Sequence, residues 1–388
     1  MVTTLVLALA AGLTSQTVKT EFLEKGATAK TNGYRPIRVE LNATADAVKV
    51  PPEGLKEPKY GLLKIGDGQW GVILDEPAEG EARLFVDSNH DGDYTNDPKP
   101  SWAPQASGNA TMHRGEAQVD LANGKRGALG AYRFDPKDPA RAQLKNTVLF
   151  YTDYGYELTF DLDGREFTSF VSGQPQANTA IWIDRDGNKK TSQKREIAVV
   201  GKPFNFTGTT YEFRWDGKVM SLEKAAESLP MSPLPPNTAL GAKAIPFTAT
   251  TMDGTKIDFP KSYAGKIVML DFWATWCGPC VAEIPNMKKA YEASHDKGFE
   301  ILGISFDREN MAEKVTGFTK ERGMPWAQVY EGKFWETTLG ELYDVSGIPF
   351  VLLVDGDTGE ILGTSKELRG PGLADFVAKA LAKKSSAE

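Results

Sequence analysis

The chain has 388 residues, of which 40% are hydrophobic and 25% charged, and these values predict a folded, soluble protein of two or three domains. Its formal net charge of −7 argues against nucleic-acid binding, which needs a basic surface. The chain has three histidines, His90, His113 and His295, which leave few ligands for a zinc or iron site.

A short apolar run, Leu5 to Leu13, lies near the start of the chain. It has the form of the hydrophobic region of a secretory signal, so residues 1–16 are predicted to be a signal peptide. The run is too short to span a bilayer. No Lys or Arg precedes it, so an N-terminus that is only disordered or buried stays the alternative.

Residues 17–227 are predicted to form a mainly antiparallel β domain of unknown function. Short apolar and aromatic runs such as YGLLKI, WGVILD and YELTFDL recur there. Turn sequences such as GDG, DLDG and WDGK separate them, and this spacing is typical of hairpins. Two segments, 83–98 and 180–193, resemble each other, because both pass from an apolar strand into an Asp/Asn-Gly loop.

The first of these loops resembles the front half of a calcium loop. Its sequence, DSNHDGDY, places oxygen ligands at alternate positions before a glycine, and the candidate ligands of a possible calcium ion are Asp87, Asn89, Asp91 and Asp93. Position twelve would be Pro98 instead of Glu, and Asp97 comes one residue early. The alternative is an ordinary Asn/Asp-Gly turn, and the same choice applies to the shorter IDRDGNKK at 183–190.

The segment 228–241 is rich in proline and small residues and is predicted to be a linker. Residues 242–388 then show a different pattern. We expect a hairpin turning at Asp253-Gly254 and core strands at 266–274, 299–307 and 347–355, with shorter strands at 326–330 and in ILGTS. Helices are expected from the CGPC sequence to about Gly298, at 309–322, at 334–345 and at the C-terminus. This order predicts an α/β layered domain with a mixed sheet.

The only two cysteines, Cys277 and Cys280, enclose Gly-Pro directly after a predicted buried strand. At the start of a helix, unpaired N–H groups and the helix dipole favour a thiolate at Cys277. Such a thiolate could attack a disulfide, and Cys280 could then resolve the mixed disulfide. So small a loop would contribute little as a structural staple. A zinc site would need two further soft ligands near the pair, and the sequence offers none.

The run VMLDFWATWCGPC, followed by VAEIP and later by GIPF, resembles the thioredoxin-like thiol–disulfide oxidoreductases of the TlpA/ResA type over about 242–385. The resemblance implies a cis peptide bond before Pro349, with Ile348 offering its backbone to an extended substrate. Trp276, directly before Cys277, would wall the site, and a purely structural role is the alternative. No cofactor is required besides the redox-active Cys277–Cys280 disulfide.

A carboxylate at Asp271, within the apolar run VMLDFW, would have a raised pKa if buried and could take a proton from Cys280. The resemblance supports this role, because thioredoxins have an acidic residue at this place. An outward-facing Asp271 is the alternative. Typical thioredoxins pair the acid with a lysine on the next strand, but the position here is Gly303.

The expected function is therefore an extracytoplasmic thiol–disulfide oxidoreductase that reduces protein disulfides. Its partners would be disulfide-bearing client proteins and a membrane dithiol electron donor, with no nucleic acid. The expected location is periplasmic or otherwise extracytoplasmic, and association with the membrane is left open. The alternative is a β-domain binding or calcium module of the envelope with a tethered redox domain of secondary role. A thiol peroxidase is disfavoured, because Ala274 stands where a T-x-x-C motif needs Thr.

Overall fold

The computed structural model describes residues 15–386 except 32, 44–47 and 108–109. The predicted signal peptide, 1–16, lies outside the described residues apart from Ser15 and Gln16, which belong to the first strand. The chain divides into two compact units. One comprises the chain to Thr191 with Glu196–Pro233, and the other comprises Ser192–Arg195 with the chain from Leu234. This division falls within the segment predicted as a linker, 228–241.

In its described residues, the first unit contains antiparallel sheets, one short α-helix, α1 (Ala27–Lys30), and a 3₁₀ segment, Pro139–Leu144. Its strands are β1 (Ser15–Thr17), β2 (Lys19–Leu23), β3 (Ile37–Glu40), β4 (Pro58–Ile65), β5 (Gly68–Asp75), β6 (Arg83–Val86), β7 (Ser101–Ser107), β8 (Ala110–Asp120), β9 (Arg126–Phe134), β10 (Thr147–Thr152), β11 (Gly155–Leu162), β12 (Arg165–Ser172), β13 (Ala180–Trp182), β14 (Ile197–Val199), β15 (Pro203–Asn205), β16 (Thr210–Trp215) and β17 (Met220–Lys224). The sheet orders are β1-β17-β16-β15, β3-β10-β9-β8-β7, β12-β11-β2, β4-β5-β6 and β13-β14.

Buried and more exposed side chains alternate along these strands, and this pattern favours the extended conformation. In β11, Leu158, Phe160 and Leu162 are buried and alternate with more exposed positions, as expected where one face of a sheet covers a core. The turn to β12 is the Asp163-Gly164 dipeptide with φ of 53° and 85°, values that this pair tolerates in a tight hairpin. The predicted mainly antiparallel β domain is therefore confirmed.

The second unit has a mixed five-stranded sheet of order β22-β21-β20-β23-β24 and a separate hairpin, β18–β19. Its strands are β18 (Phe247–Thr250), β19 (Lys256–Phe259), β20 (Ile267–Trp273), β21 (Phe299–Ser305), β22 (Ala327–Tyr330), β23 (Phe350–Asp355) and β24 (Ile361–Thr364), and its helices are α2 (Gly278–Ser294), α3 (Ala312–Arg322), α4 (Thr338–Leu342) and α5 (Leu373–Ser385). β21 pairs parallel with β20 and β22, whereas β23 pairs antiparallel with β20 and β24. The predicted α/β thioredoxin-like architecture is confirmed.

The helix predicted over 334–345 is interrupted. Phe334–Glu336 form one 3₁₀ turn, and α4 begins only after Thr337, whose ψ of 141° is extended. The Thr337 hydroxyl accepts a hydrogen bond from the Gly340 N–H at 3.2 Å, so it caps a new helix. Across 15–386, excluding the gaps given above, no helix combines the length and apolar character that crossing a membrane requires.

Candidate active site

The two cysteines lie at the start of α2 and form a disulfide. Cys277 is the N-cap residue and Cys280 lies in the first turn, with the two Cα atoms 5.3 Å apart. The Cys280 backbone N–H donates to the Cys277 Sγ at 3.2 Å, as it would to an N-cap oxygen. The same N–H and the helix dipole stabilise negative charge on Cys277 when the disulfide is reduced.

Access to the two sulfurs is narrow. Cys277 is 5% exposed and Cys280 4%. Trp276, Gly278 and Pro279 beside them are exposed. A substrate must therefore approach between these neighbours. Burial does not distinguish an attacking from a resolving sulfur, and the N-cap position of Cys277 is what separates them.

Asp271 is buried in β20, at 4% exposure. Burial raises the pKa of Asp271 to about 7, and the charge of Glu283 adds to the shift. Glu283 lies on α2 three residues after Cys280, and its effect on Asp271 indicates that the carboxyl is near this helix. A carboxyl with a pKa near 7 can accept a proton at neutral pH and return it.

Gly303 lies directly opposite Asp271 in the parallel pairing of β20 and β21. A Cβ atom on Gly303 would lie 2.1 Å from the Gln328 Oε1, which accepts a hydrogen bond from the Trp273 indole N–H at 3.0 Å. The space above Gly303 is therefore filled by the side chain of Gln328. A lysine at position 303 would have to displace this buried amide, so the chain provides no lysine partner for Asp271 at that place.

The Ile348–Pro349 peptide bond is cis, and Pro349 immediately precedes β23. Because β20 and β23 are antiparallel and pair Phe272 with Phe350, the start of β23 lies beside the end of β20. The cysteine pair follows that same end of β20. Ile348 and Pro349 are half-buried.

Trp276 is exposed, at 44% of its surface, and is the first residue of an aromatic cluster. Its ring centroid lies 5.4 Å from that of Phe334 and 5.9 Å from that of Trp335. The Arg308 guanidinium lies over the Phe334 ring, 4.0 Å from its centroid. Phe334 and Trp335 could not be predicted as site residues from the sequence, because they lie in a segment that only the fold brings to the cysteines.

Asp307 is a second residue that the sequence analysis missed. It is fully buried just after β21 and accepts hydrogen bonds from the Thr275 N–H at 3.0 Å and the Thr275 hydroxyl at 2.6 Å. The Ser305 hydroxyl also donates to it, at 2.9 Å. Asp307 therefore anchors the loop between β20 and α2 that carries the cysteines. An Asp directly after a core strand is the one signal that could have pointed to it.

The candidate calcium ligands, Asp87, Asn89, Asp91 and Asp93, belong to the first unit, in the loop between β6 and β7. The structure does not bring them together as one set of ligands. Asp91 accepts hydrogen bonds from the Asn89 and Asn96 side-chain amides at 3.0 and 2.8 Å. Asp93 accepts from the Thr95 N–H at 2.9 Å.

Comparisons with known proteins match the C-terminal part of the chain. The sequence model of the AhpC/TSA family matches residues 240–364. The thiol–disulfide oxidoreductase ResA of Bacillus thuringiensis subsp. konkukian is 32% identical over 133 residues, which are 34% of this chain and 70% of ResA. The thiol:disulfide interchange protein HelX of Rhodobacter capsulatus is 31% identical over 144 residues, which are 37% of this chain and 75% of HelX.

A crystal structure of the thioredoxin domain of a thiol–disulfide oxidoreductase from Bacteroides vulgatus is 34% identical to this chain. The match covers 37% of this chain and 98% of that domain, with a TM-score of 0.33. The resemblance seen in the sequence is thus confirmed by curated relatives that carry the activity in their names. Through its C-terminal part, this chain belongs to the thioredoxin-like thiol–disulfide oxidoreductases of the ResA and HelX type.

Proposed function

We propose that the protein works outside the cytoplasm as a reductase of protein disulfides, with Cys277 as nucleophile and Cys280 as resolving thiol. The supporting observation is the placement of Cys277 as the N-cap of α2, where the Cys280 N–H points at its sulfur. A thiolate is the reactive form in disulfide exchange, and this position stabilises it.

The reaction begins with the reduced pair. The Cys277 thiolate attacks one sulfur of a client disulfide, so a Cys277–client bond forms, the client disulfide breaks, and the released client thiolate takes a proton from solvent. Cys280 then transfers its proton to Asp271 and attacks the Cys277 sulfur. The Cys277–Cys280 disulfide forms, the second client thiolate leaves, and it is protonated by Asp271 or water. The client gains two electrons, which the enzyme loses.

The direction of electron flow is inferred from the Gly-Pro dipeptide between the cysteines. The same dipeptide accompanies a potential of about −270 mV in thioredoxin, compared with about −120 mV in the oxidant DsbA. A reductase outside the cytoplasm must be recharged, and a membrane dithiol is the chemical class of donor that fits. The predicted signal peptide, 1–16, is the basis for the proposed export.

The aromatic cluster of the exposed Trp276 and the half-buried Phe334 and Trp335 is the proposed contact surface for clients. Ile348, next to Pro349, would bind an extended client segment through its backbone. Aromatic surface and backbone contacts recognise unfolded chains with little regard to sequence. We therefore expect broad selectivity for disulfides in extended segments.

Reduction of insulin by the purified full chain tests the activity, with Cys277→Ser as the inactive control. Cys280→Ser should accumulate mixed disulfides through Cys277, because the second step is blocked. Equal rates for wild type and Cys277→Ser would exclude the mechanism. A measured Cys277–Cys280 potential near −120 mV would exclude the reductase direction while leaving the exchange chemistry intact.

The role of Asp271 has its own kinetic test. The ionised carboxylate is the form that accepts the Cys280 proton, and the pKa of Asp271 is about 7. The rate at which the mixed disulfide is resolved should therefore rise as the pH increases through 7. Asp271→Asn should slow this step and remove that inflection. An unchanged pH profile in the variant would exclude Asp271 as the proton acceptor.

A further inference from the structure

The loop between β6 and β7 contains two buried carboxylate oxygens that have no hydrogen-bond partner among the described residues, Asp87 Oδ1 and Asp97 Oδ2. Asp87 follows β6 directly and is 6% exposed. A buried carboxylate oxygen normally has a donor or a cation beside it, because desolvation without compensation is costly. Two such oxygens in one loop therefore require an explanation.

Both carboxylates are held by backbone N–H groups of the same loop. Asp87 Oδ2 accepts a hydrogen bond from the Gly92 N–H at 3.1 Å, so this side chain points into the loop. Asp97 Oδ1 accepts from the backbone N–H of Ser88, the neighbour of Asp87, at 2.8 Å. Each carboxylate thus has one oxygen held by the loop backbone and one oxygen left over.

Among the described residues, no positive side chain makes a hydrogen bond or an ion pair with these two oxygens, and the Arg126 guanidinium, which feels the charge of Asp97, is paired with Asp120. Lys49 contacts the loop at another point, since its ammonium group donates to the Asp91 carbonyl oxygen at 2.6 Å. As described above, the Asp91 and Asp93 carboxylates already have donors within the loop. The unmet demand for positive charge is therefore specific to Asp87 and Asp97.

We propose that Asp87 and Asp97 are the carboxylate ligands of a Ca²⁺ site in this loop. Ca²⁺ prefers oxygen ligands, typically about six to eight of them, and tolerates irregular geometry. The D-x-N-x-D-G spacing from Asp87 to Gly92 is that of the front half of a calcium loop, and backbone carbonyl groups and water can supply the remaining oxygens. Asp97 is position eleven of the loop, one residue before the position of the usual Glu. For this reason the spacing of the sequence motif did not identify Asp97 as a ligand.

The second aspartate loop, at 183–190, has a related arrangement, but its buried carboxylate oxygens have hydrogen-bond partners. Carboxylate oxygens of Asp184, Asp186 and Glu196 lie within 4.8 Å of one another. Glu196 accepts from the Arg185 N–H at 2.8 Å, as Asp97 does from Ser88. Its other oxygen accepts from the Trp182 indole at 3.5 Å, so Glu196 has partners for both oxygens. This loop serves as the internal competitor in the test.

Calorimetric titration of the metal-stripped full chain with CaCl₂ tests the proposal. We expect one Ca²⁺ per chain at the first loop, weaker binding of Mg²⁺, and a higher melting temperature with Ca²⁺ than with EDTA. Asp87→Asn and Asp97→Asn keep the side-chain shape and should each weaken Ca²⁺ binding at least about tenfold. The control Asp67→Asn, in the exposed turn between β4 and β5, should bind as wild type does.

Terbium luminescence provides a second readout on wild type alone. Tb³⁺ replaces Ca²⁺, and Trp70, whose ring lies 5.0 Å from that of His90 in the loop, can sensitise its emission. This measurement keeps the test decisive if an Asn variant fails to fold. No heat, no Tb³⁺ signal and no melting shift at about 5 mM Ca²⁺ would overturn the proposal, since even weak extracellular sites bind in that range. Unchanged affinity in both folded variants would also overturn it and would direct attention to Asp184. Insulin reduction should be insensitive to all of these changes.

Discussion

Asp271→Asn should stabilise the oxidised protein in a strongly pH-dependent way. The pKa of Asp271 is raised from 3.8 to about 7 by burial and by Glu283. In the unfolded chain the carboxyl is free to ionise at its ordinary pKa. Between pH 4 and 7 the folded state therefore binds more protons than the unfolded state, and wild type loses stability as the pH rises.

The magnitude follows from the size of the shift. A pKa shift of about three units, at about 1.4 kcal/mol per unit, corresponds to a loss of at most about 4 kcal/mol of unfolding free energy in wild type. This loss is absent near pH 4 and reaches its full size above pH 7. Asn has the shape of the protonated acid and carries no charge. The variant should therefore match wild type near pH 4.5 and exceed it at pH 8 by up to this amount, which corresponds to about 10 °C in the melting temperature of a domain of this size.

Scanning calorimetry of the full oxidised chain at pH 4.5 and pH 8 measures the effect. The transition of the second unit is the one to compare, because a two-unit protein need not unfold in a single step. Asp296→Asn, which changes an exposed carboxylate after α2, is the matched control. An Asp271→Asn protein that is equally stable, or less stable, than wild type at pH 8 would refute the reasoning.

Three further changes probe the surroundings of the cysteines. Asp307→Ala should lower the unfolding free energy by about 1–3 kcal/mol in urea, because the Thr275 N–H and hydroxyl lose their acceptor. Gly303→Ala should cost about 1–3 kcal/mol, since the new methyl would lie 2.1 Å from the Gln328 Oε1, and adding Gln328→Ala should recover part of this loss. Equal stability of Gly303→Ala and wild type would contradict that contact. Trp276→Ala should lower kcat/KM for insulin about two- to tenfold and affect a small aromatic-free disulfide less, whereas an equal loss for both would assign Trp276 a structural role only.

The redox centre was predictable because its signals are local. A buried strand, a Cys-Gly-Pro-Cys sequence and a helix follow one another within a few residues, and helix-start chemistry acts over one turn. The fold class followed from periodicity and the order of elements in the same way. In the β domain, individual strands such as β11 could be read from alternation, but their partners could not. β1 pairs with β17 and β2 with β11, and these pairings join segments far apart in the chain.

The amino-acid sequence by itself determined the reacting sulfurs, the family and the expectation that Asp271 is buried within an apolar strand. The tertiary structure decided which distant residues surround them. It placed Phe334 beside Trp276, held Thr275 with Asp307, and left Asp97 with an oxygen that no donor in the described part of the chain reaches. The physical reason is range, because helix caps and strand alternation act over a few residues, whereas desolvation and side-chain packing depend on whatever the folded chain brings into contact.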